Sequence, residues 1–150
     1  LLAKSTSKSN EKIFKYPQFL WIGIGFKRGS SQQLIEIAIQ EVFQKNLLDE
    51  SAIAGLATID TKASENFLIE LCRLRNWQFK IFSAQQLSTV EVPNPTEIIT
   101  TAVGTPSVAE AAAILAASRL DFDLLLPKQI FRLPGEPGVV TIAVAEEIQQ

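Results

Sequence analysis

The pattern of apolar and polar positions divides the chain into short continuous apolar runs alternating with segments of helical spacing. Phe19 to Gly25 is nearly unbroken apolar, as expected for a strand covered on both faces. A polar turn, Lys27-Arg28-Gly29, follows, and Ser30 or Ser31 is placed to cap a helix. That helix carries Leu34, Ile35, Ala38, Ile39, Val42 and Phe43 at helical intervals. Ala54 to Ile59 reads as a second strand, and Ser64 as the cap of a helix that turns Phe67, Leu68, Leu71 and Leu74 inward. Gln78 to Phe82 reads as a third strand, followed by Ser83 and Gln86 in capping-box register.

The second half contains two well-marked helix starts. Asn94-Pro95-Thr96-Glu97 combines a capping residue, a proline at the first helical position and a glutamate that can reach back. Thr105-Pro106 repeats the cap and proline, with Gly104 placed to end the preceding helix. The helix that follows passes through Val108, Ala111, Ala112, Leu115 and Ala116, and its small side chains allow close approach to a sheet. Asp123 to Pro127 and Val139 to Ala145 read as the last two strands, joined without a helix and therefore antiparallel. The Leu124-Leu125-Leu126 run predicts a central position for the first of these. The expected fold is α/β: a three-layer sandwich with a mixed, mostly parallel sheet and helices on both faces. Residues 1–18, with four lysines among serines and an asparagine, read as a flexible tether, and 19–150 as the folded domain.

Composition removes several kinds of chemistry. The 150 residues include no histidine, which excludes a serine-histidine triad, a cysteine-histidine pair and a histidine-ligated zinc site. One cysteine, Cys72, cannot form an internal disulfide, which suits a reducing, cytoplasmic setting. Fourteen basic against sixteen acidic residues leave no basic excess for nucleic acid, and no apolar run is long enough for a membrane span. Carboxylates, lysines, hydroxyls and backbone dipoles are left to do the work.

In open α/β sheets, ligands gather beyond the carboxyl ends of the parallel strands. The sequence places Gly25, Lys27, Arg28, Gly29 and Ser30 after the first strand, and Asp60 and Lys62 after the second. Asn94, Gly104, Thr105 and Ser107 stand at later helix boundaries, and Lys128 and Gln129 follow the fourth strand. Lys128 is expected to point out of the sheet's end. Gly23-x-Gly25-x-x-x-Gly29 is one residue too long for a dinucleotide fingerprint, and nothing closes it as a phosphate-binding loop. Read alone, these residues make a place that favours anions, or simply capped turns with solvated cations. Asp60 and Lys62 could form an acid-base set, but on spacing alone a local ion pair is the preferred reading, while Glu110 has a helix-surface explanation.

Five segments carry a resemblance. They are residues 23–30 (Gly-Ile-Gly-Phe-Lys-Arg-Gly-Ser), 57–63 (Ala-Thr-Ile-Asp-Thr-Lys-Ala), 92–97, 103–112 (Val-Gly-Thr-Pro-Ser-Val-Ala-Glu-Ala-Ala) and 125–129. In this order they resemble the CobE/CbiG C-terminal domain family of cobalamin biosynthesis, from about Phe19 to Ala145. The first loop departs from the family, with Phe26, Lys27 and Ser30 where cysteine, arginine and threonine are common. The resemblance implies a role in corrin-ring assembly. Full-length CbiG proteins are cobalt-precorrin-5A hydrolases, which open a ring lactone and release acetaldehyde, and the domain also occurs alone or fused to a precorrin methyltransferase.

The implied partner is a precorrin or cobalt-precorrin intermediate, whose rim of carboxylates suits the cationic loops, along with other enzymes of the pathway. No resident metal or cofactor is implied. Two readings stand: a domain that helps hydrolyse the lactone, drawing on Asp60, Lys62 and Glu110, and a non-catalytic module that handles an intermediate or holds a fused enzyme. On the second, surface aromatics such as Phe131 matter more than Lys27.

Overall fold

The computed structural model describes residues 17–27, 29–62, 66–90 and 108–148. Five strands form one sheet: β1 (Leu20–Phe26), β2 (Ile53–Ile59), β3 (Gln78–Phe82), β4 (Leu126–Phe131) and β5 (Val140–Glu146), in the spatial order β3-β2-β1-β5-β4. β1, β2 and β3 pair in parallel, while β5 runs antiparallel to both β1 and β4. Four strands therefore point the same way, with β5 opposed. The mixed α/β sheet expected from the sequence is the one observed. The helices are α1 (Gln32–Lys45), α2 (Asn66–Arg75), α3 (Ala84–Leu87) and α4 (Val108–Ala116).

β1 shows why its sequence is nearly continuous apolar. Leu20, Ile22, Ile24 and Phe26 join the buried residues of α1 and α2 in one apolar cluster, whereas Trp21 joins those of α4 in another. Alternation along one strand thus feeds two cores. The odd-numbered face is trimmed by Gly23, where a Cβ would overlap the Ala109 carbonyl oxygen on α4. The alanines of α4 are themselves buried, as its small-residue pattern leads one to expect. Trp21 is closed in by Lys80, whose Nζ lies 4.4 Å from the ring centroid and donates to the Ala116 carbonyl at the end of α4.

Capping follows the sequence closely. Ser31, rather than Ser30, caps α1 by accepting from Leu34 N–H at 3.0 Å. Ser83 and Gln86 form the reciprocal box at the start of α3. The Ser64 cap, the helix start at Asn94 and the Thr105-Pro106 device lie outside the described residues, as does the tether up to residue 16.

Three expectations are corrected. The fourth strand begins at Leu126 rather than Asp123, and it lies at the sheet's edge rather than in the centre. Leu126 packs into one core and Leu124 against the other, with Leu125 exposed between them. A sheet with two covered faces thus makes even an edge approach look apolar on both sides. Leu74 is 70% exposed rather than inward. At 3.6 residues per turn it lies ~110° around from the arc of Leu68, Leu71 and Cys72, and Cys72 takes the inward place. Phe131 is half-buried and packs against the core, so it is not a free surface aromatic.

Candidate functional site

The parallel strands carry the first loops to one rim of the sheet. β1 ends at Phe26, so Lys27 and Gly29 leave from that rim, both exposed. β2, the parallel neighbour of β1, ends at Ile59, and the short 3-10 turn Asp60–Lys62 sits beside them. Asp60 is exposed to solvent. α4 also begins here: a Cβ on Gly25 would stand 3.7 Å from Val108 Cβ and 4.0 Å from the Ala109 nitrogen. Gly25, Lys27, Gly29, Asp60 and the first turn of α4 are therefore brought to one end of the sheet. Arg28, Asn94, Gly104, Thr105 and Ser107 lie outside the described residues, as does the side chain of Lys62.

Ser30 has work of its own in the fold. Its hydroxyl donates to the Lys27 carbonyl at 2.7 Å and accepts from the Val139 N–H at 3.2 Å. Lys27 N–H in turn donates to the Val139 carbonyl, and Gly138, at φ +99°, has no room for a side chain against Ser30. The loop after β1 is thus pinned to the β4–β5 connection. Ser31 adds to this by donating to Glu136 Oε1 at 3.3 Å. Sequence reading missed this latch because its two halves are 109 residues apart. The glycine and serine that form it give only local turn signals.

Three further residues sit differently from expectation. Lys128 does not follow the strand's end but lies within β4, between Leu126, which pairs with Val144, and Gln129, which pairs with Ile142. Those partners pair in turn with Ile22 and Ile24, so Lys128 is below the rim and across the width of the sheet from Asp60. Gln129 is half-buried and bonds locally to the Pro127 carbonyl at 3.4 Å. Glu110, read as a helix-surface residue, is completely buried. Its Oε2 accepts the Lys128 backbone N–H at 2.9 Å, tying the first turn of α4 to the edge strand where the β4 register shifts. The available signal was composition: Glu110 is flanked by Val108, Ala109 and Ala111–Ala113, so no side of that helix is polar.

The groups whose acidity is visibly altered lie away from this rim. Burial pushes the Cys72 thiol up to about 11, partly countered by a hydrogen bond with the Leu56 backbone. It therefore stays protonated and unreactive at neutral pH. A raised folded value makes this contribution to stability complete below pH ~9 and lost as pH climbs through 11. Unfolding measured from pH 8 to 11 should show a falling alkaline limb that Cys72→Ala flattens. The Arg119 hydrogen bond holds the Asp121 carboxyl below the usual range, and Ser51 does the same for Asp49. Among the described residues no cluster of cysteine and carboxylate ligands could hold a metal, and no helix is long and apolar enough to cross a membrane.

Comparison with known proteins points in one direction. The family described as cobalamin synthesis G C-terminus matches residues 20–145. The cobalt-precorrin-5A hydrolase of Priestia megaterium is 30% identical over 129 residues, which is 86% of this chain and 32% of that protein. The chain therefore spans about a third of that relative's length. CobE, a protein from the cobalamin (vitamin B12) biosynthetic pathway, has a solved structure that superposes with a TM-score of 0.69 at 28% identity, covering 86% of this chain and 95% of CobE. The cobalamin biosynthesis protein chiG from Agrobacterium tumefaciens str. C58 shares the fold, with a TM-score of 0.61 at 24% identity over 87% of this chain and 99% of that one.

Proposed function

Because this chain belongs to the CbiG C-terminal family of cobalamin synthesis, we propose that it binds a carboxylate-rimmed precorrin intermediate at the rim where β1, β2 and α4 meet. Within a longer protein it would contribute there to cobalt-precorrin-5A lactone opening. The observation that supports this reading is the close approach of Gly25 to the first turn of α4, beside exposed Lys27 and Asp60. Backbone N–H groups at a helix start and a lysine ammonium both favour carboxylates. Arg28 and Lys62 are near these positions in sequence, and both are basic.

Opening a lactone requires water to add to the acyl carbon, a proton to leave that water, and the ring oxygen to depart with a proton. In this reading Asp60, exposed at the rim, takes the first proton, and Lys27 steadies the developing oxyanion. Glu110 is enclosed and bonded to β4, so its part is to hold the rim rather than to touch water. Ser30 likewise keeps Lys27 in place through the latch. A soluble reaction of this kind, with one buried thiol and no disulfide, suits the cytoplasm.

Calorimetric titration of a corrin bearing free carboxylates into the 150-residue chain tests the reading. Micromolar binding that weakens about fivefold in Lys27→Ala, and further with salt, is expected. Asp60→Asn should keep the affinity and abolish acetaldehyde release by the longer protein. An absence of binding at low salt, or an affinity indifferent to Lys27, would overturn it.

A further inference from the structure

The opposite pole of the sheet, where β1, β2 and β3 begin, is where the described chain enters and leaves. Glu147 N–H donates to the Phe19 carbonyl at 2.8 Å, and Phe19 N–H donates to Ala52. α4 ends at this pole as well and leads into a turn that is built rather than loose. Arg119, only 14% exposed, donates to both carboxylate oxygens of Asp121 at 2.9 and 2.8 Å and to the Glu146 carbonyl at 3.0 Å. Ser118 and Phe122 adopt φ 57°, which side-chain-bearing residues seldom do. The product of this construction is a leucine held in water, for Leu120 is 94% exposed. Ile148 at 55% stands across from it, and the two line an open hollow of about 420 Å³ with Ala117, Ser118, Asp121 and Glu147.

We propose that this pole is the face on which the preceding domain of a longer protein of this family docks. CobE is matched over 95% of its length, but in the Priestia megaterium relative, whose form the proposal concerns, about two thirds of the protein lies outside the matched region. Polypeptide preceding Phe19 joins the unit at this pole, beside the hollow. The surface has the composition of an interface: an apolar centre of Leu120 and Ile148, with Arg119, Asp121 and Glu147 as a polar surround. A turn fixed in advance loses little freedom on association, which is how a small patch becomes a usable anchor. The opposite rim stays open for a ligand while this pole is covered. The proposal rests on family membership and geometry, not on the ligand reading.

Amide hydrogen exchange on the intact Priestia megaterium hydrolase, compared with the 150-residue chain, tests it. The segment aligned with residues 117–125 should exchange at least tenfold more slowly in the intact relative. Leu120→Asp should leave the unfolding midpoint of the 150-residue chain unchanged. Aspartate at the aligned position of the intact hydrolase should expose the segment to exchange and to proteolysis between the units. Equal exchange in the two proteins overturns the proposal. So does a concentration-dependent dimer of the 150-residue chain that Leu120→Asp dissolves, since the face would then belong to a second copy. Neither readout involves a corrin, so a failed ligand titration leaves this test standing.

Discussion

Gly23→Ala is expected to lower the unfolding free energy by about 3 kcal/mol or more, enough to take the midpoint down by roughly 10 °C in a chain of this length. Gly23 sits in the middle of β1, paired with Ala57 on one side and Ala143 on the other, so the strand cannot retreat within the sheet. A Cβ there would overlap the Ala109 carbonyl and stand 2.7 Å from the Ala113 nitrogen. Both obstacles are backbone, and neither can rotate aside. α4 would have to lift away, taking Ala109, Ala112 and Ala113 out of their buried positions. Gly25→Ala, two residues along the same face, meets Val108 and the Ala109 nitrogen at ordinary distances of 3.7 to 4.0 Å and should cost under about 1 kcal/mol. Chemical denaturation of the two variants side by side checks the contrast. Equal stability would mean that α4 is not fixed against β1, and the rim built on that contact would lose its basis.

This close approach was half legible in the sequence. Gly23 and Gly25 on one side, and the alanine-rich run after Val108 on the other, are complementary before any fold is known. What the sequence could not say is that the two meet, because they are far apart in the chain and only the fold lays α4 on β1. Local signals were dependable where the interaction is local. The Ser31 cap, the Ser83–Gln86 box and the third strand all stand where patterning puts them. They failed where a residue's surroundings come from elsewhere in the chain. Lys128 reads as a strand terminus because Pro127 precedes it, yet proline is tolerated on an edge strand, and β4 runs on to Phe131. Ser30 reads as a loop hydroxyl free for a ligand, although Val139 already holds it.

Glu110 separates a positioning role from a catalytic one. Its carboxylate is enclosed and accepts the Lys128 N–H where the edge strand shifts register. Glu110→Ala leaves that buried donor without this acceptor, a loss worth about 2–3 kcal/mol. Glu110→Gln keeps an oxygen in the same place and should recover more than half of the loss. If Glu110 only holds α4 to β4, the proposed binding of a carboxylated corrin should be as strong in the glutamine variant as in the unsubstituted chain. The longer protein carrying it should still release acetaldehyde, because no proton passes through this side chain. If Glu110 were the general base, the same variant would stay folded and bind, yet release would stop. Denaturation, titration and the release assay on this one pair of substitutions therefore decide which carboxylate faces the water, and the burial of Glu110 beside the exposure of Asp60 favours Asp60.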